Sequence, residues 1–596
     1  MSVRPKVQIW VRDMLGDPHG PWRHYENPVR VVAAHELDDV LPLLSRIEAW
    51  AEEGHVALGF VSYDAAPAMD AKLMARPREC PLPLAWFAFF EAEAPANASL
   101  PGAGPLTPSP LDWTSNQTPE EFQDALHQIK QYLVEGDIYQ VNYALRLALE
   151  DAQLDPLALF AQVSAWEPNS SSACILTEEF HVLSFSPEIF LIREGRSLQS
   201  KPMKGTRPRG RTAREDDALR QELQASTKDR AENLMIVDMV RNDFGRIATP
   251  GSIHVDPLFE IEPYTTVFQM TSTVHAESDA SLPEIFRALF PAASITGAPK
   301  IRASEIIHEL EPTPRGLYTG ALGVVGPGSR AAFNVAIRTL VHHPKVPATE
   351  YGVGSGIVWD STSEIEFEEV MTKTKVLHPP PEFQLFESIR ISATPAPGLD
   401  AFIPPASLRE RHWARLLASI RRFRWPISES ELRAQWDEAL RSASRDVLLR
   451  VACNRFGQLR VEERPLPEWP SERPVRLQVS SCRVDSGNLF LYHKTTLRSI
   501  YDEAWAERAG SDEVVLLNER GEITEGCISN IAVRVAGQWL TPTLESGLLP
   551  GVLRQSFLNS KFLIEARLTL DDLTHAEDCI VMNSVRGSAR AKLALP

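Results

Sequence analysis

Apolar and polar residues alternate with two different periods along this chain, which predicts a mixture of helices and strands. The segments EEFQDALHQIKQYLVEG (120–136) and DRAENLMIVDMVRNDFG (229–245) space their apolar residues three and four positions apart, as amphipathic helices do. FHVLSFSP (180–187) and EIFLIRE (188–194) are instead typical of strands. We therefore expect the first part of the chain to combine α and β structure.

A proline-rich segment divides the chain into two parts. After MTKTKVL comes His378-Pro-Pro-Pro381, which cannot continue a helix and favours extended backbone. Beyond it, FQLFESIRI (383–391) alternates like a strand, and LRERHWARLLASIRRF (408–423) has helical spacing. The pattern predicts an α/β (α+β) multidomain protein with a first domain at 1–378, a linker at 379–382 and a second domain at 383–596.

The composition is that of a globular protein, with 43% hydrophobic and 23% charged residues. No apolar run approaches the roughly 20 residues that cross a bilayer, and the N-terminus lacks a signal-peptide pattern, so we expect a cytoplasmic protein without a membrane partner. The six cysteines form no CxxC pair, which argues against a disulfide framework or a thiolate zinc site. A net charge of −18 argues against nucleic acid as a partner.

Five motifs in the first domain carry candidate chemistry. They are SPEIF (186–190), KPMKGTRPRG (201–210), DRAENLMIVDMVRNDFGR (229–246), SITGAPKIRASEIIHELEP (294–312) and GSGIVWDSTSEIEFEEVMTKTK (354–375). Together, and in this order, they closely resemble the chorismate-utilising enzymes, a family that includes anthranilate, isochorismate, salicylate and aminodeoxychorismate synthases. The resemblance covers most of residues 115–377 and implies an α/β sandwich.

Two pairs of acidic residues are candidate metal ligands. Asp229 and Glu232, like Glu366 and Glu369, lie three positions apart on predicted helices, so each pair can present two carboxylates on one face. Such pairs are ordinarily solvated helix faces, but the motif context favours a hard divalent cation. The resemblance implies Mg²⁺, which prefers oxygen ligands and here would bridge protein and substrate carboxylates.

The same resemblance implies a set of substrate-binding residues. Lys373 follows Glu369 by four positions, which alone would indicate an ion pair, but the family places a ligand for a substrate carboxylate there. The glycines of YGVGSGIV allow backbone N–H groups to approach an anion closely. The remaining candidates in this first domain are Thr296, Lys300, Arg338, Tyr351, Gly354 and Gly356.

Three positions distinguish members of the family. Water-using members carry an activating lysine where this chain has Gln140; glutamine cannot be a general base, so ammonia is the expected nucleophile. Lys204 stands where aminodeoxychorismate-forming members have the lysine that attacks ring carbon 2, and Glu188 is the matching acid for the departing hydroxyl. Gln269 replaces a histidine that assists pyruvate elimination in anthranilate synthases, so this domain should stop at the amino intermediate.

The second domain contains another ordered set of motifs: RHWARLLAS, LYHKTTLRSIYDEA, NERGEITEGCISNI, LLPGVLRQ and VMNSVRG. They resemble the fold-type IV pyridoxal phosphate enzymes, which comprise aminodeoxychorismate lyase and the branched-chain and D-amino acid aminotransferases. The resemblance implies pyridoxal 5'-phosphate bound covalently to Lys494, with Glu525 against its pyridine nitrogen. It also implies a phosphate site made by Arg415, the backbone near Val552 and Leu553, and Ser584.

The two resemblances together imply p-aminobenzoate synthesis in the folate pathway: Mg²⁺-dependent amination of chorismate with ammonia, then cofactor-dependent loss of pyruvate. No nucleophile-elbow GxCxG with a downstream HxE occurs, so a separate glutamine amidotransferase subunit should supply ammonia. Fold-type IV enzymes usually pair through this domain, so a homodimer is expected. One alternative is an anthranilate- or isochorismate-type synthase joined to an aminotransferase. The other is a silent scaffold, against which the intact carboxylate pairs and both lysines argue.

Overall fold

The computed structural model describes residues 6–12, 14, 20–76, 82–95, 98, 100, 113–149, 154–167, 171–345, 348–394, 396, 398 and 405–594. They form two compact units. The first comprises residues 1–209 and 218–379, and the second comprises residues 380–596 together with Gly210–Asp217. The short segment of the second unit therefore lies inside the 1–378 range expected for the first domain.

Helices and strands are interleaved before Pro379. The helices are α1 Leu37–Glu52, α2 Ala66–Met69, α3 Pro119–Glu135, α4 Pro156–Trp166, α5 Ala213–Ala225, α6 Thr227–Gly245, α7 Leu282–Leu289, α8 Lys300–Leu310 and α9 Ser363–Lys373. The strands are β1 Gln8–Arg12, β2 Trp22–Glu26, β3 Arg30–Ala34, β4 Val56–Val61, β5 Ala85–Phe90, β6 Thr114–Ser115, β7 Gln140–Leu149, β8 Ser171–Leu176, β9 His181–Ser186, β10 Ile189–Glu194, β11 Ser197–Lys201, β12 Met203–Pro208, β13 His254–Val255, β14 Glu260–Pro263, β15 Val267–Thr271, β16 Val274–Glu277, β17 Gly297–Ala298, β18 Ala321–Gly326, β19 Arg330–Val335, β20 Thr339–His343 and β21 Ala348–Ile357.

The first unit is a sandwich of two large sheets with helices outside. One sheet runs β17-β7-β21-β20-β9-β8-β1-β2, and the other runs β13-β16-β11-β10-β19-β18-β4-β5-β3. Side chains such as Val182 of the first sheet and Phe60 of the second share one buried cluster between them. Separate clusters cover the outer faces, one beneath α3, α4 and α8 and one beneath α1, α6 and α7. This mixed α/β architecture confirms the fold class expected from the sequence.

A small third sheet, β12-β15-β14, carries Lys204. The pairing of β12 with β15 is irregular between Met203 and Thr206, so Lys204 and Gly205 lie in a bulge. Gly205 has φ of +98°, a left-handed conformation that favours glycine. The bulge interrupts the regular alternation of the strand at the residue expected to be the nucleophile.

Local capping explains the ends of two helices that approach this region. Thr118 caps α3 by accepting from the Glu121 backbone N–H, and the Glu121 side chain accepts from the Thr118 N–H. Gly136 ends the same helix at φ of +79°. Ser226 caps α6 by accepting from the Asp229 N–H, which fixes where the predicted carboxylate helix begins.

The second unit contains a three-stranded sheet and an eight-stranded sheet in its described residues. Their orders are β22-β23-β24 and β27-β26-β25-β32-β31-β28-β29-β30. The strands are β22 Leu385–Ile391, β23 Val447–Cys453, β24 Leu459–Pro465, β25 Val475–Val484, β26 Glu513–Asn518, β27 Ile523–Gly526, β28 Asn530–Val535, β29 Gln538–Pro542, β30 Ile564–Ala566, β31 Asp578–Asn583 and β32 Gly587–Leu593. The helices are α10 Pro405–Phe423, α11 Glu429–Ser442, α12 Ser499–Ala506, α13 Val552–Asn559 and α14 Leu570–Thr574. Among the residues described, no helix is long and apolar enough to cross a membrane.

Candidate active sites

Lys204 lies in the bulge of strand β12, and its side chain approaches helix α6. Its Nζ is 3.9 Å from Glu232 Oε2, and both side chains are mostly buried. Across from it on β21, a Cβ added to Gly356 would collide with Lys204 Nζ and lie 3.2 Å from Gln140 Nε2. The glycine therefore leaves the space that the lysine side chain occupies, and it brings Lys204, Gln140 and Glu232 into one site.

Glu188 lies in the turn between β9 and β10 and is 5% exposed. Burial raises the pKa of its carboxyl group to about 7, although a hydrogen bond from Ser294 and the charge of Lys204 oppose that rise. The Ser294 hydroxyl donates directly to Glu188 Oε1. A carboxyl group with this pKa can hold or release a proton near neutral pH, as an acid for a leaving hydroxyl must.

The four predicted metal ligands lie on two helices near this lysine. Burial raises the pKa of Glu232, and the charges of Asp229 and Glu366 add to the rise while Lys204 opposes it. Asp229 itself accepts from Arg207 Nη2 at 2.9 Å, and Glu369 is 2.7 Å from Lys373 Nζ. Within the described part of the chain, no three His, Cys, Asp or Glu side chains form a group that could hold a metal ion.

The chemistry of these donors nevertheless suits Mg²⁺. The electrostatic coupling of Glu232 with Asp229 and Glu366 joins carboxylates from α6 and α9, and carboxylate oxygens are the ligands that this ion prefers. Asp229 and Glu369 each have a cationic neighbour within 2.9 Å, whereas the contact of Glu232 with Lys204 is longer, at 3.9 Å. Glu232 and Glu366 are therefore the better candidates to hold the ion.

A basic and polar cluster lies along β21 and the end of α9. Lys373 Nζ donates to the Gly354 carbonyl at 2.7 Å, and the Tyr351 hydroxyl donates to the Lys373 carbonyl at 3.3 Å. Burial, opposed by the charge of Arg338, raises the pKa of Tyr351. Arg338 has φ of +49° and lies 6.0 Å from the Tyr264 ring. Its buried Nη1 has no hydrogen-bond partner among the described residues, which leaves a donor for an anion.

Two predicted substrate contacts have other partners in the structure. Lys300 Nζ donates to Asp243 Oδ2 at 2.7 Å and to the Leu289 carbonyl at 3.0 Å. Thr296 is fully buried, its hydroxyl donates to the Ala292 carbonyl, and its own carbonyl accepts from the Asn142 N–H. Neither side chain has a described contact with Lys204, so their predicted roles in substrate binding stay predictions.

The two glutamines predicted to distinguish family members differ in their surroundings. Gln269 on β15 accepts from the Thr206 hydroxyl at 3.0 Å. Gln140 is completely buried, and neither of its amide atoms has a partner within the residues that the structure describes. Because buried polar groups are almost always paired, this amide is available to a polar ligand beside Lys204.

In the second unit, Lys494 lies in the segment between β25 and α12. Its Nζ is 4.9 Å from the centre of the Phe386 ring. Burial, together with the nearby charges of Arg415 and Arg498, lowers the pKa of its amine to about 7. A neutral amine is what covalent attachment of an aldehyde requires. The lysine therefore fits the cofactor-binding role.

Glu525 on β27 faces the same space. Its Oε1 accepts from the Tyr501 hydroxyl at 2.8 Å and from the Leu549 N–H at 3.0 Å, and its Oε2 accepts from Asn530 Nδ2 at 3.1 Å. Burial raises the pKa of Glu525 to about 7. A cationic ring nitrogen beside it would favour the charged carboxylate, so the residue fits a pyridinium partner.

The residues of the predicted phosphate site lie on three segments. Arg415 donates to Glu387 through Nε and Nη2 and to the Pro550 carbonyl through Nη1. The Ser584 hydroxyl is 2.9 Å from His412 Nε2. Val552 and Leu553 open helix α13, whose preceding residue Gly551 provides no side-chain cap. Free N–H groups at a helix start, together with a guanidinium and a hydroxyl, fit a phosphate group.

Several residues of these sites were not singled out from the sequence. Ser294, Asn233 and Arg207 contact the residues around Lys204, while Glu387, Tyr501 and Asn530 contact those around Lys494. All except Glu387 stand inside the quoted motifs. Their place in a motif could have marked them, but the partner of each lies on a different element and is visible only in three dimensions.

These two sites on mixed α/β scaffolds define an enzyme with a lysine–carboxylate centre in each unit. Residues 21–379 match the family model of the chorismate binding enzymes, so the chain belongs to that family. Residues 384–593 match the family model of the class IV amino-transferases. Both resemblances expected from the motifs are confirmed.

Two curated relatives each match about half of the chain. It is 38% identical over 258 residues to aminodeoxychorismate synthase component 1 of Bacillus subtilis, covering 43% of this chain and 54% of that protein. It is 36% identical over 323 residues to anthranilate synthase component 1 of Streptomyces coelicolor, covering 53% and 60%. The chain thus spans little more than half the length of these curated relatives.

A solved structure supports the fold of the first unit. The crystal structure of anthranilate synthase component I from Streptococcus pneumoniae aligns with a TM-score of 0.50 at 23% identity, covering 63% of this chain and 90% of that one. At this identity the likeness concerns the fold alone.

Proposed function

We propose that this chain makes p-aminobenzoate from chorismate in two steps. The first unit replaces the C4 hydroxyl of chorismate with an amino group, and the second unit removes pyruvate from the product. The observation that carries the proposal is the position of Lys204 Nζ beside Glu232 and Gly356, with the buried Glu188 carboxyl close enough for its pKa to respond to the lysine charge. That is the arrangement that a covalent amination needs.

In the first step, the Lys204 amine attacks ring carbon 2 and forms a C–N bond. Both ring double bonds shift, the C4–O bond breaks, and Glu188 gives its proton to the departing hydroxyl, which leaves as water. Ammonia then adds at C4, both double bonds return and the bond to Lys204 breaks, which restores the lysine amine, and the new C4 ammonium group returns a proton to Glu188. Glu232 and Glu366 would hold Mg²⁺, which would supply positive charge for the substrate carboxylate.

Arg338 and Lys373 are proposed to bind the anionic groups of the substrate. The free Nη1 of Arg338 is a donor for a carboxylate, and Lys373 is anchored on the Gly354 carbonyl at the edge of the site. The uncommitted amide of Gln140 lies beside Lys204, where it can hydrogen-bond to ammonia but cannot deprotonate water. Because glutamine cannot activate water, its presence supports ammonia rather than water as the nucleophile.

In the second step, Lys494 is proposed to bind pyridoxal phosphate and then to take the C4 proton of the aminated substrate. The cofactor, when bound, accepts the electrons that this proton leaves behind. Glu525 holds the ring nitrogen in its protonated form, while Arg415, Ser584 and the start of α13 bind the phosphate. Loss of the enolpyruvyl group then makes the ring aromatic, which draws the reaction toward the product.

The amino group is proposed to originate from glutamine in a separate amidotransferase subunit. The relatives named component 1 imply a second component. A second candidate function is anthranilate formation, which the similarity to the Streptomyces coelicolor protein favours. That reaction gives Lys204 no role, and Gln269 stands where the eliminating histidine is expected.

The test is to supply purified protein with chorismate, Mg²⁺, pyridoxal phosphate and ammonium and to identify the product by chromatography and mass. We expect p-aminobenzoate from the wild-type chain and none from Lys204→Ala, because the covalent path at C2 loses its nucleophile. The variant should still convert supplied aminodeoxychorismate at the wild-type rate. An ortho-substituted product, or near-normal amination by Lys204→Ala, would contradict the proposal.

A further inference from the structure

Asn233 connects helix α6, which carries Asp229 and Glu232, to strand β12, which carries Lys204. It follows Glu232 on α6, is 1% exposed, and donates from Nδ2 to the Lys204 carbonyl at 3.3 Å and to the Met270 carbonyl at 3.2 Å. One side-chain amide therefore holds β12 and β15 against α6.

The orientation of this amide is fixed by a second side chain. The Ser272 hydroxyl donates to Asn233 Oδ1 at 2.6 Å and accepts from the Phe259 N–H at 3.0 Å. Because the oxygen of the amide faces a donor, its nitrogen must face the two carbonyl groups. Ser272 is fully buried, so no water competes for these contacts.

The Lys204 carbonyl needs such a donor because its strand is irregular there. β12 pairs with β15 at Met203 and again at Thr206, and the register shifts between these points. A bulge of this kind redirects side chains but leaves backbone groups without ladder partners. The amide of Asn233 takes the place of the missing strand partner at the residue that carries the nucleophile.

We propose that Asn233 is a positioning residue for Lys204, holding the bulged backbone so that the lysine amine lies beside Glu232 and the substrate. The inference rests on the proposed function, in which Lys204 forms a covalent bond with the ring. A nucleophile displaced by about 1 Å can lose on the order of a hundredfold in rate. Loss of the amide should therefore slow bond formation more than substrate binding.

The experiment follows the Lys204 adduct directly in the full-length chain. Chorismate and Mg²⁺ are mixed with protein in the absence of ammonium, and the mass of the intact chain is followed with time. Chorismate affinity and the melting temperature are measured on the same samples. Asn233→Ala should form the adduct about a hundredfold more slowly, with a change in chorismate affinity of less than about threefold.

Two further variants separate positioning from general destabilisation. Ser272→Ala keeps the Asn233 amide but removes the hydrogen bond that orients it, together with the acceptor of the Phe259 N–H. It should slow adduct formation in the same direction but less, and it keeps the test available if Asn233→Ala does not fold. Combining both changes should be no worse than Asn233→Ala alone. The control is Ser278→Ala, which removes a buried hydrogen bond to the Ile247 carbonyl just beyond α6 and should leave adduct formation unchanged.

Three outcomes would overturn the inference. Adduct formation at the wild-type rate in Asn233→Ala, or an equal loss in Ser278→Ala, would remove the positioning role and leave the proposed function intact. A wild-type chain that forms no adduct on Lys204 would overturn the proposed function and this inference with it.

Discussion

The buried carboxyl group of Glu188 suits proton transfer but lowers the stability of the folded state at high pH. Its carboxyl group is buried, and its pKa of about 7 lies above the value of about 4.5 that it has in water. A raised pKa means that the folded state favours the protonated form. The contribution of this group to stability is complete below about pH 4.5 and is lost as the pH rises through about 7.

Replacing this carboxyl group with a neutral amide should therefore stabilise the chain at high pH. Glu188→Gln keeps an oxygen that can accept from Ser294 but cannot ionise. At pH 8 the variant should be more stable than the wild type by up to about 3 kcal/mol, and at pH 4.5 the two should be nearly equal. Denaturant unfolding of both proteins at the two pH values measures the difference. An equal difference at both pH values would refute the buried-carboxyl explanation.

The sequence identified residues better than it identified their partners. Lys204 and Glu232 were predicted from separate motifs, and the structure places their charged atoms 3.9 Å apart. Lys300 stands in an equally distinctive motif, but its amine is bound to Asp243. A motif gives the type of residue at a position. Which neighbour the side chain reaches depends on the packing of distant segments, which spacing along the chain does not encode.

At the scale of elements, helices α6 and α9 present acidic side chains to one site. The pKa of Glu232 is raised by burial and by the charges of Asp229 and Glu366, which indicates that the two helices concentrate negative charge there. A divalent cation would relieve this repulsion. The metal requirement should therefore depend on carboxylates from both helices.

Glu232→Gln should raise the Mg²⁺ concentration needed for half-maximal amination by on the order of tenfold or more, because it removes one charge from this cluster. Magnesium titration of initial rates measures the effect. Asp238→Asn is a matched control, since Asp238 is on the same helix but is exposed and paired with Arg241. A titration curve that does not move in Glu232→Gln, or moves equally in the control, would exclude Glu232 as a ligand.

Elements with a strong periodic pattern were predicted well, and irregular ones were not. The segment 120–136 was expected to be a helix, and the structure has α3 at Pro119–Glu135, bounded by a capping box and a left-handed glycine. The bulge in β12 had no counterpart in the pattern of apolar residues. Its backbone is hydrogen-bonded to Asn233 of α6, a contact between distant segments that periodicity along β12 alone could not reveal.

At the scale of the whole molecule, each unit has its own buried clusters and its own lysine. Apart from the segment Gly210–Asp217, the chain changes from the first unit to the second between Pro379 and Pro380. This organisation predicts that one half-reaction can be lost while the other continues.

After unbound pyridoxal phosphate is removed, Lys494→Ala should lack the near-visible absorption that the wild-type chain retains, and it should accumulate aminodeoxychorismate while amination continues. Its defect is the opposite of that in Lys204→Ala. Mixing the two variants should restore p-aminobenzoate after a lag, which shortens as more of the Lys204→Ala protein is added. The time course of product formation measures this lag. A mixture that stays inactive while each variant keeps its remaining half-reaction would mean that the intermediate must pass within one chain.

The buried amide of Gln140 connects ligand binding to the stability of the folded chain. A buried polar group without a hydrogen bond costs roughly 1–3 kcal/mol, and Gln140 has two such atoms in the described structure. A polar ligand that hydrogen-bonds to this amide would offset that cost, and a ligand that binds only the folded state raises the free energy of unfolding. The protein should therefore resist heat and proteases best when substrate is bound and least when no substrate is bound.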